Sequence, residues 1–264
     1  MKKKFIPFFL YAAFMTFLVS ACDDTTTGPE DDSGKIALSF EHKIDGEDID
    51  YDTMKYVNAA GNPYLVNEIQ YFISDVRLWK DGKSVLLDQW EDIHYVDTDL
   101  PDTWIYSPAD DLAPGNYDSV NFIFGITEEK NHSFMFVNPP ESYMFWPEYL
   151  GGGYHYLKLN GKWKAKDGVI KPFNFHMGIG QIYNEQGEII GFVQNYFQVS
   201  LPGSTFEIKP GETTRVIITM NVEEWFKDPN IFDFDYWGGD IMEKQPAMQA
   251  AKENGHNVFS FRKE

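Results

Sequence analysis

The segment Tyr143–Gly180, YMFWPEYLGGGYHYLKLNGKWKAKDGVIKPFNFHMGIG, sets His155 and His176 among Met144, Trp146, Met177 and several glycine turns. Imidazole and thioether are donors that transition metals of the copper and zinc type accept, so the segment is where a metal is expected. Two strand-forming runs hold the histidines, Gly153 to Leu159 and Phe173 to Ile179, each bounded by glycine, proline or asparagine. In the second run period-2 alternation sends Phe173, Phe175 and Met177 to one face and Asn174 and His176 to the other, which takes His176 off the apolar face. The same alternation groups His155 with Leu157 and Leu159. A third histidine, His42, ends the alternating run Ile36, Leu38, Phe40, His42 and so points inward with the apolar set.

The elements that must position these residues read as strands. Tyr64 to Trp79 is a long strand with Ile69, Tyr71 and Ile73 on one face, broken near Ser74-Asp75 and followed by a turn at Asp81-Gly82. Val85 to Val96 is expected to pair back on it. Tyr117 to Ile126, Gly191 to Leu201, Thr205 to Lys209 and Thr213 to Val222 follow, the last two joined across Pro210-Gly211 as a hairpin. Many short strands with turns between them argue an all-β fold, a β-sandwich with long connecting loops. Helix is confined to a turn near Asn221–Phe226 and a short C-terminal helix. That helix has Asp240 as N-cap, Pro246 forcing a ragged start or a restart at Gln245, and Gly255 as a left-handed stop. The aromatic loop Asn131 to Gly153 is expected to fold over one end of the sandwich.

Residues 1–21 carry Lys2–Lys4, an apolar run from Phe5 to Val19 and small residues before Cys22, the pattern of a secretory signal peptide. Val19-Ser20-Ala21-Cys22 resembles the lipobox of bacterial lipoproteins, in which the cysteine is acylated and becomes the new N-terminus. Cys22 is the only cysteine, so a lipidated chain has no thiolate to offer a metal and no disulfide. Residues 22–34 then read as the lipidated cysteine with a disordered acidic tether, and 35–264 as a single domain. Acidic residues directly after the cysteine resemble surface-export signals, so the expected location is the outer membrane, on its periplasmic side or at the cell surface. With 22 Lys plus Arg against 41 Asp plus Glu, a net charge of −19, nucleic acid is excluded as a partner and cations are favoured.

The order M-x-W, G-Y-x-x-x-K-x-x-G, F-H-x-G, here Met144-Phe145-Trp146, Gly153 to Gly161 and Phe175 to Gly178, resembles the MbnP-like copper-binding protein family. Phe40-Glu41-His42, the strand Tyr71 to Val76, Gly115 with Tyr117, and the ending from Ile241-Met242 to Val258-Phe259 also fit its pattern, so the resemblance spans nearly all of residues 36–260. It implies a β-sandwich and copper held by His42 and His176. Trp146 of the M-x-W motif, His155, where the family pattern does not call for histidine, and the Met144 thioether are additional candidates read from the residues themselves. Characterised relatives complete the site with a tryptophan oxidised to kynurenine. Here Phe40 stands two before His42 where those sites have tryptophan, which leaves Trp146 as an aromatic wall or modifiable residue.

No G-x-S-x-G, P-loop, H-E-x-x-H or cysteine nucleophile is present, and the chain is not expected to be an enzyme. Asp97-Thr98-Asp99 and Asp233-Phe234-Asp235 present paired carboxylates that would suit calcium. The expectation is thus a lipid-anchored protein for copper capture, storage or handover. Its alternative is a cell-surface lipoprotein that binds glycan or peptide through aromatics such as Trp104, Trp146 and Trp237, without metal.

Overall fold

The computed structural model describes residues 32–89, 92–201 and 203–264; the signal segment, Cys22 and most of the tether lie outside the described residues. The principal strands are β1 (Lys35–Ile44), β2 (Pro63–Lys80), β3 (Ile93–Asp97), β4 (Ser119–Phe124), β5 (Leu157–Lys164), β6 (Ile170–Met177), β7 (Phe197–Ser200), β8 (Thr213–Asn221) and β9 (Phe259–Lys263). One sheet runs β9-β8-β1, with β1 also flanked by Glu47–Asp48 and Ile105–Tyr106. The larger sheet runs β6-β5-β2-β4-β7, and β2 also pairs with Tyr56–Val57, Lys83–Leu86 and β3. This is an all-β sandwich with a short C-terminal helix, α1 (Gln245–Asn254).

Alternation builds the interior. Ile36, Leu38, Phe40, His42 and Ile44 of β1 are buried, and they face Ile69, Tyr71 and Ile73 of β2 across the gap. Phe40 meets Tyr71 at 6.2 Å between ring centroids, and Phe259 of β9 meets Tyr71, Phe122 and Phe124 within 5.3–6.3 Å. Each such fully buried side chain stabilises the fold by about 1.5–3 kcal/mol. β2 is long enough to serve β5 from Tyr64 to Tyr71 and β4 from Ile73 to Trp79, and the pairing with β4 carries a register shift between Ser74 and Arg77. Asp75 sits there at φ +52°, a left-handed conformation that aspartate tolerates better than most residues.

Three expectations are corrected. The hairpin across Pro210-Gly211 does not form: Phe206–Ile208 pairs with Gly115–Tyr117, and β8 pairs in parallel with β1. The turn residues allow a hairpin, but the apolar face of Val216, Ile218 and Met220 is buried only beside β1. Asp240 does not cap the helix, because Pro246 fits its first turn and Lys244 takes the cap position. Gly255 is not a left-handed stop. Its φ is −53°, and a Cβ there would lie 2.1 Å from the Phe197 ring, so its smallness serves packing.

Candidate histidine centre

His176 lies on β6 with its side chain on the outward face of the larger sheet, in the cross-strand row Gln70–Lys158–His176. Over this face folds the loop of residues 131–153. Phe136 stacks on Phe72, the outward neighbour of Tyr71, at 5.4 Å, and Tyr154 closes edge-on against both. Asn131 Oδ1 accepts the Tyr154 N–H and Ser133 Oγ accepts that of Gly153. Two short 3-10 turns, Glu141–Met144 and Glu148–Leu150, carry the chain around Trp146, which is fully buried and donates its indole N–H to the Leu150 carbonyl at 3.2 Å. The loop therefore caps the sheet's outward face.

Beneath this cap His155 and His176 meet, ring centroids 5.1 Å apart and planes at 85°, while Trp146 stands edge-on to His155 at 4.7 Å. The hydrogen bonds fix both tautomers. His155 Nδ1 is 2.9 Å from the Met144 carbonyl, which can only accept, so Nδ1 carries the proton and Nε2 the lone pair. Glu68 accepts from Asn160 Nδ2 at 2.6 Å, which turns the amide oxygen of Asn160 toward His176 Nε2 at 2.7 Å. Nε2 is then the protonated nitrogen, and Nδ1 holds a lone pair, buried and without a partner among the described residues.

Both rings are held neutral. Burial pushes His155 well below the usual imidazole range, with the charges of His176 and Lys158 adding to it and the Met144 and Phe145 carbonyls opposing. Burial, then Lys158, brings His176 down to about 4 against the pull of Asp240. Lys158 is itself lowered by burial, with Glu68 opposing, and donates to the Tyr143 carbonyl. Neutral imidazoles with free lone pairs are the state a metal ion requires. Among the described residues no group of three or more His, Cys, Asp or Glu could share an ion, so further ligands would be sulfur, carbonyl, indole or solvent.

The structure does not bring His42 and His176 together. His42 points inward as its alternation requires, buried, with Nε2 3.2 Å from the Tyr71 hydroxyl and its ring edge-on to Tyr71 and Trp104. Burial lowers it to about 4. Tyr71 is in register with Leu157 and Met177, one residue along from the row that holds His176. The two histidines thus use opposite faces of the larger sheet. His155, conversely, does not side with Leu157 and Leu159, because β5 begins only at Leu157 and alternation has no force before it.

Of the other candidates, Met144 is buried and contributes its carbonyl to both N–H groups of His155. His94 stacks on Phe40 and bonds the Thr103 carbonyl; His256 bonds that of Glu253. The calcium expectation gains no support, since Asp97 accepts from Asp99, Tyr95 and Gln70, and Asp233 from Asp235, Asn62 and Lys166. Nor do the three tryptophans make an exposed platform: Trp146 is buried, Trp104 is half-buried and bonds the Asp97 carbonyl, and Trp237 is half-buried against Phe232. Sequence reasoning missed Asn160 and Glu68. The signal was available, since in antiparallel register Asn160 shares the outward face with His176.

A family model, MbnP, matches residues 33–243. Among solved structures, MbnP from Methylosinus trichosporium is similar at a TM-score of 0.59 and 16% sequence identity, over 88% of this chain and 99% of that one. A comparison with curated proteins gives no match.

Proposed function

We propose, from the premise that this chain belongs to the MbnP family, that it holds a copper ion on the paired imidazoles of His155 and His176 and serves copper capture, storage or handover. The observation that carries this reading is the Nδ1 of His176, buried and without a partner among the described residues, beside a second neutral imidazole. A buried lone pair without a donor is costly. The 5.1 Å ring separation is short enough for one ion to meet a nitrogen of each ring, at bond lengths of about 2.0–2.1 Å for a metal of this kind.

Imidazole alone suits several metals, and the family resemblance directs the choice to copper. The neighbourhood supports it: two neutral imidazole donors, no group of three or more His, Cys, Asp or Glu among the described residues, and the Trp146 indole against His155 favour a soft ion of low charge. The protein is then a carrier rather than an enzyme. The same reading anchors it through acylated Cys22, with residues 23–34 as the tether, at the outer membrane on its periplasmic or outer side. Its support is the lipobox-like Val19-Ser20-Ala21-Cys22.

The test is elemental analysis of the full chain after loading with reduced copper and desalting. The parent is expected to retain about one copper per chain, His155→Ala and His176→Ala to lose it, and His42→Ala to keep it. Copper lost from His42→Ala but kept by His176→Ala would move the site into the sheet interior. A parent that retains none would reduce family membership to a shared fold.

A further inference from the structure

The outward face of the larger sheet carries a second site that shares no residue with the histidine centre. Past the register shift at Ser74, alternation buries Val76 and Leu78 and sends Arg77 and Trp79 outward. Register places Arg77 beside Asn121, Trp79 between Ser84 and Ser119, and Ile123 beside Gln198. All of these except Ser119, together with Asp75 and Thr127, line a cavity of ≈ 460 Å³, within the range of about 300–1,000 Å³ usual for small-molecule sites.

The charges there are unusual for so acidic a chain. Of the three arginines, Arg215 is paired with Glu264 and Arg262 with Glu41, whereas Arg77 makes no ion pair among the described residues. Asp75 makes no ion pair with it among the described residues: Lys130 holds Asp75 Oδ1 at 2.7 Å and also pairs with Asp92, and Asp75 Oδ2 is buried with no hydrogen-bond partner among the described residues. The cavity therefore offers an unspent guanidinium, the amides of Asn121 and Gln198, the Thr127 hydroxyl and one indole face.

We propose that this cavity binds an acidic carbohydrate, with the carboxylate of a uronic residue on Arg77 and the C–H face of the sugar ring on Trp79. A guanidinium takes a carboxylate in two parallel hydrogen bonds, and an indole supplies a flat apolar surface with one polar edge. The amides and the hydroxyl then meet ring hydroxyls. A polyphosphate ligand would need further free cations, since Lys130 is already spent. A fatty acid would need an apolar tunnel, whereas Trp79, Phe122 and Ile123 share this open cavity with Asp75, Arg77, Ser84, Asn121, Thr127 and Gln198. This proposal is independent of the copper reading.

Isothermal titration calorimetry of the full chain, with oligomers of the common uronic acids and their neutral counterparts, tests it. One acidic oligomer is expected to bind at least tenfold more tightly than its neutral form. Arg77→Gln should weaken it about tenfold, some 1.4 kcal/mol, Arg77→Lys less, and Trp79→Ala should abolish it without changing copper content. Equal binding of acidic and neutral oligomers, no binding of any, or binding indifferent to Arg77→Gln overturns the proposal. Arg77 is exposed, so that variant stays informative even if Trp79→Ala fails to fold.

Discussion

His176 Nδ1 is buried, without a partner among the described residues, beside the ring of His155, although the other nitrogen of His176 is firmly bonded to Asn160 at 2.7 Å. A metal–nitrogen bond of about 2.0–2.1 Å would satisfy that lone pair. The relationship makes the residues that orient the two rings as consequential as the rings.

Asn160 is the first of these. Glu68 fixes its amide, the amide fixes the His176 tautomer, and that tautomer leaves Nδ1 with its lone pair. Asn160→Leu should retain copper at saturating metal but lower affinity about 10–100-fold, the usual cost of losing such an outer partner. Competition with a chromophoric copper chelator measures it. Unchanged affinity would mean that the ring needs no orienting bond.

Gly178 is the second. A Cβ there would lie 2.6 Å from the ring carbon Cε3 of Trp146, and the contact is with the body of a fully buried indole, which cannot swing aside. Gly178→Ala should cost about 1–3 kcal/mol, the usual penalty of overpacking, and should loosen His155, which packs edge-on against that indole. Urea unfolding gives the first quantity, and an NMR line-width of the His155 ring the second. A variant as stable as the parent would show that the loop of residues 131–153 yields more than its packing implies.

Part of this architecture was legible in the chain. The alternation of Ile69, Tyr71 and Ile73 and its break at Ser74-Asp75 mark both β2 and its register shift, and the inward His42 and outward His176 follow from period 2 alone. What alternation cannot say is which strand lies alongside which. Phe206–Ile208 and β8 are drawn apart by distant partners in the chain, Gly115–Tyr117 for the first and β1 for the second, where local turn chemistry has no say. The pairing of His155 with His176 was hidden for a related reason: it arises where the strand ends and the chain is steered by the Met144 carbonyl and the Phe145–Tyr154 bridge.

His42 gives a pH dependence of definite sign. Its ring titrates near 4 in the folded protein because it is buried, and near 6.5 when unfolded. Between these values the unfolded chain takes up the proton and the folded one does not, so stability is full above about pH 6.5 and falls as pH drops toward 4. His42→Gln, which can still bond the Tyr71 hydroxyl, should reduce the slope of unfolding free energy against pH in that window by about one proton, ~1.4 kcal/mol per pH unit. Urea titrations at several pH values read the slope. An unchanged slope would assign the effect to the other buried histidines.

Lys130 tests how the second cavity is kept ready. It answers two carboxylates, Asp75 at the register shift and Asp92, which is only 5% exposed. Lys130→Met leaves both without a cation. Breaking a buried pair costs about 3–5 kcal/mol; because the lysine side chain is 31% exposed, solvent screens part of this and about 2 kcal/mol is expected. The freed Asp75 carboxylate would then compete for Arg77 inside the same cavity. Calorimetry of Lys130→Met should therefore show weaker uptake of the acidic oligomer at a temperature where the variant remains folded. Lys130→Met combined with Asp75→Asn should recover that uptake, whereas a double variant as weak as the single one would place the loss in altered loop packing.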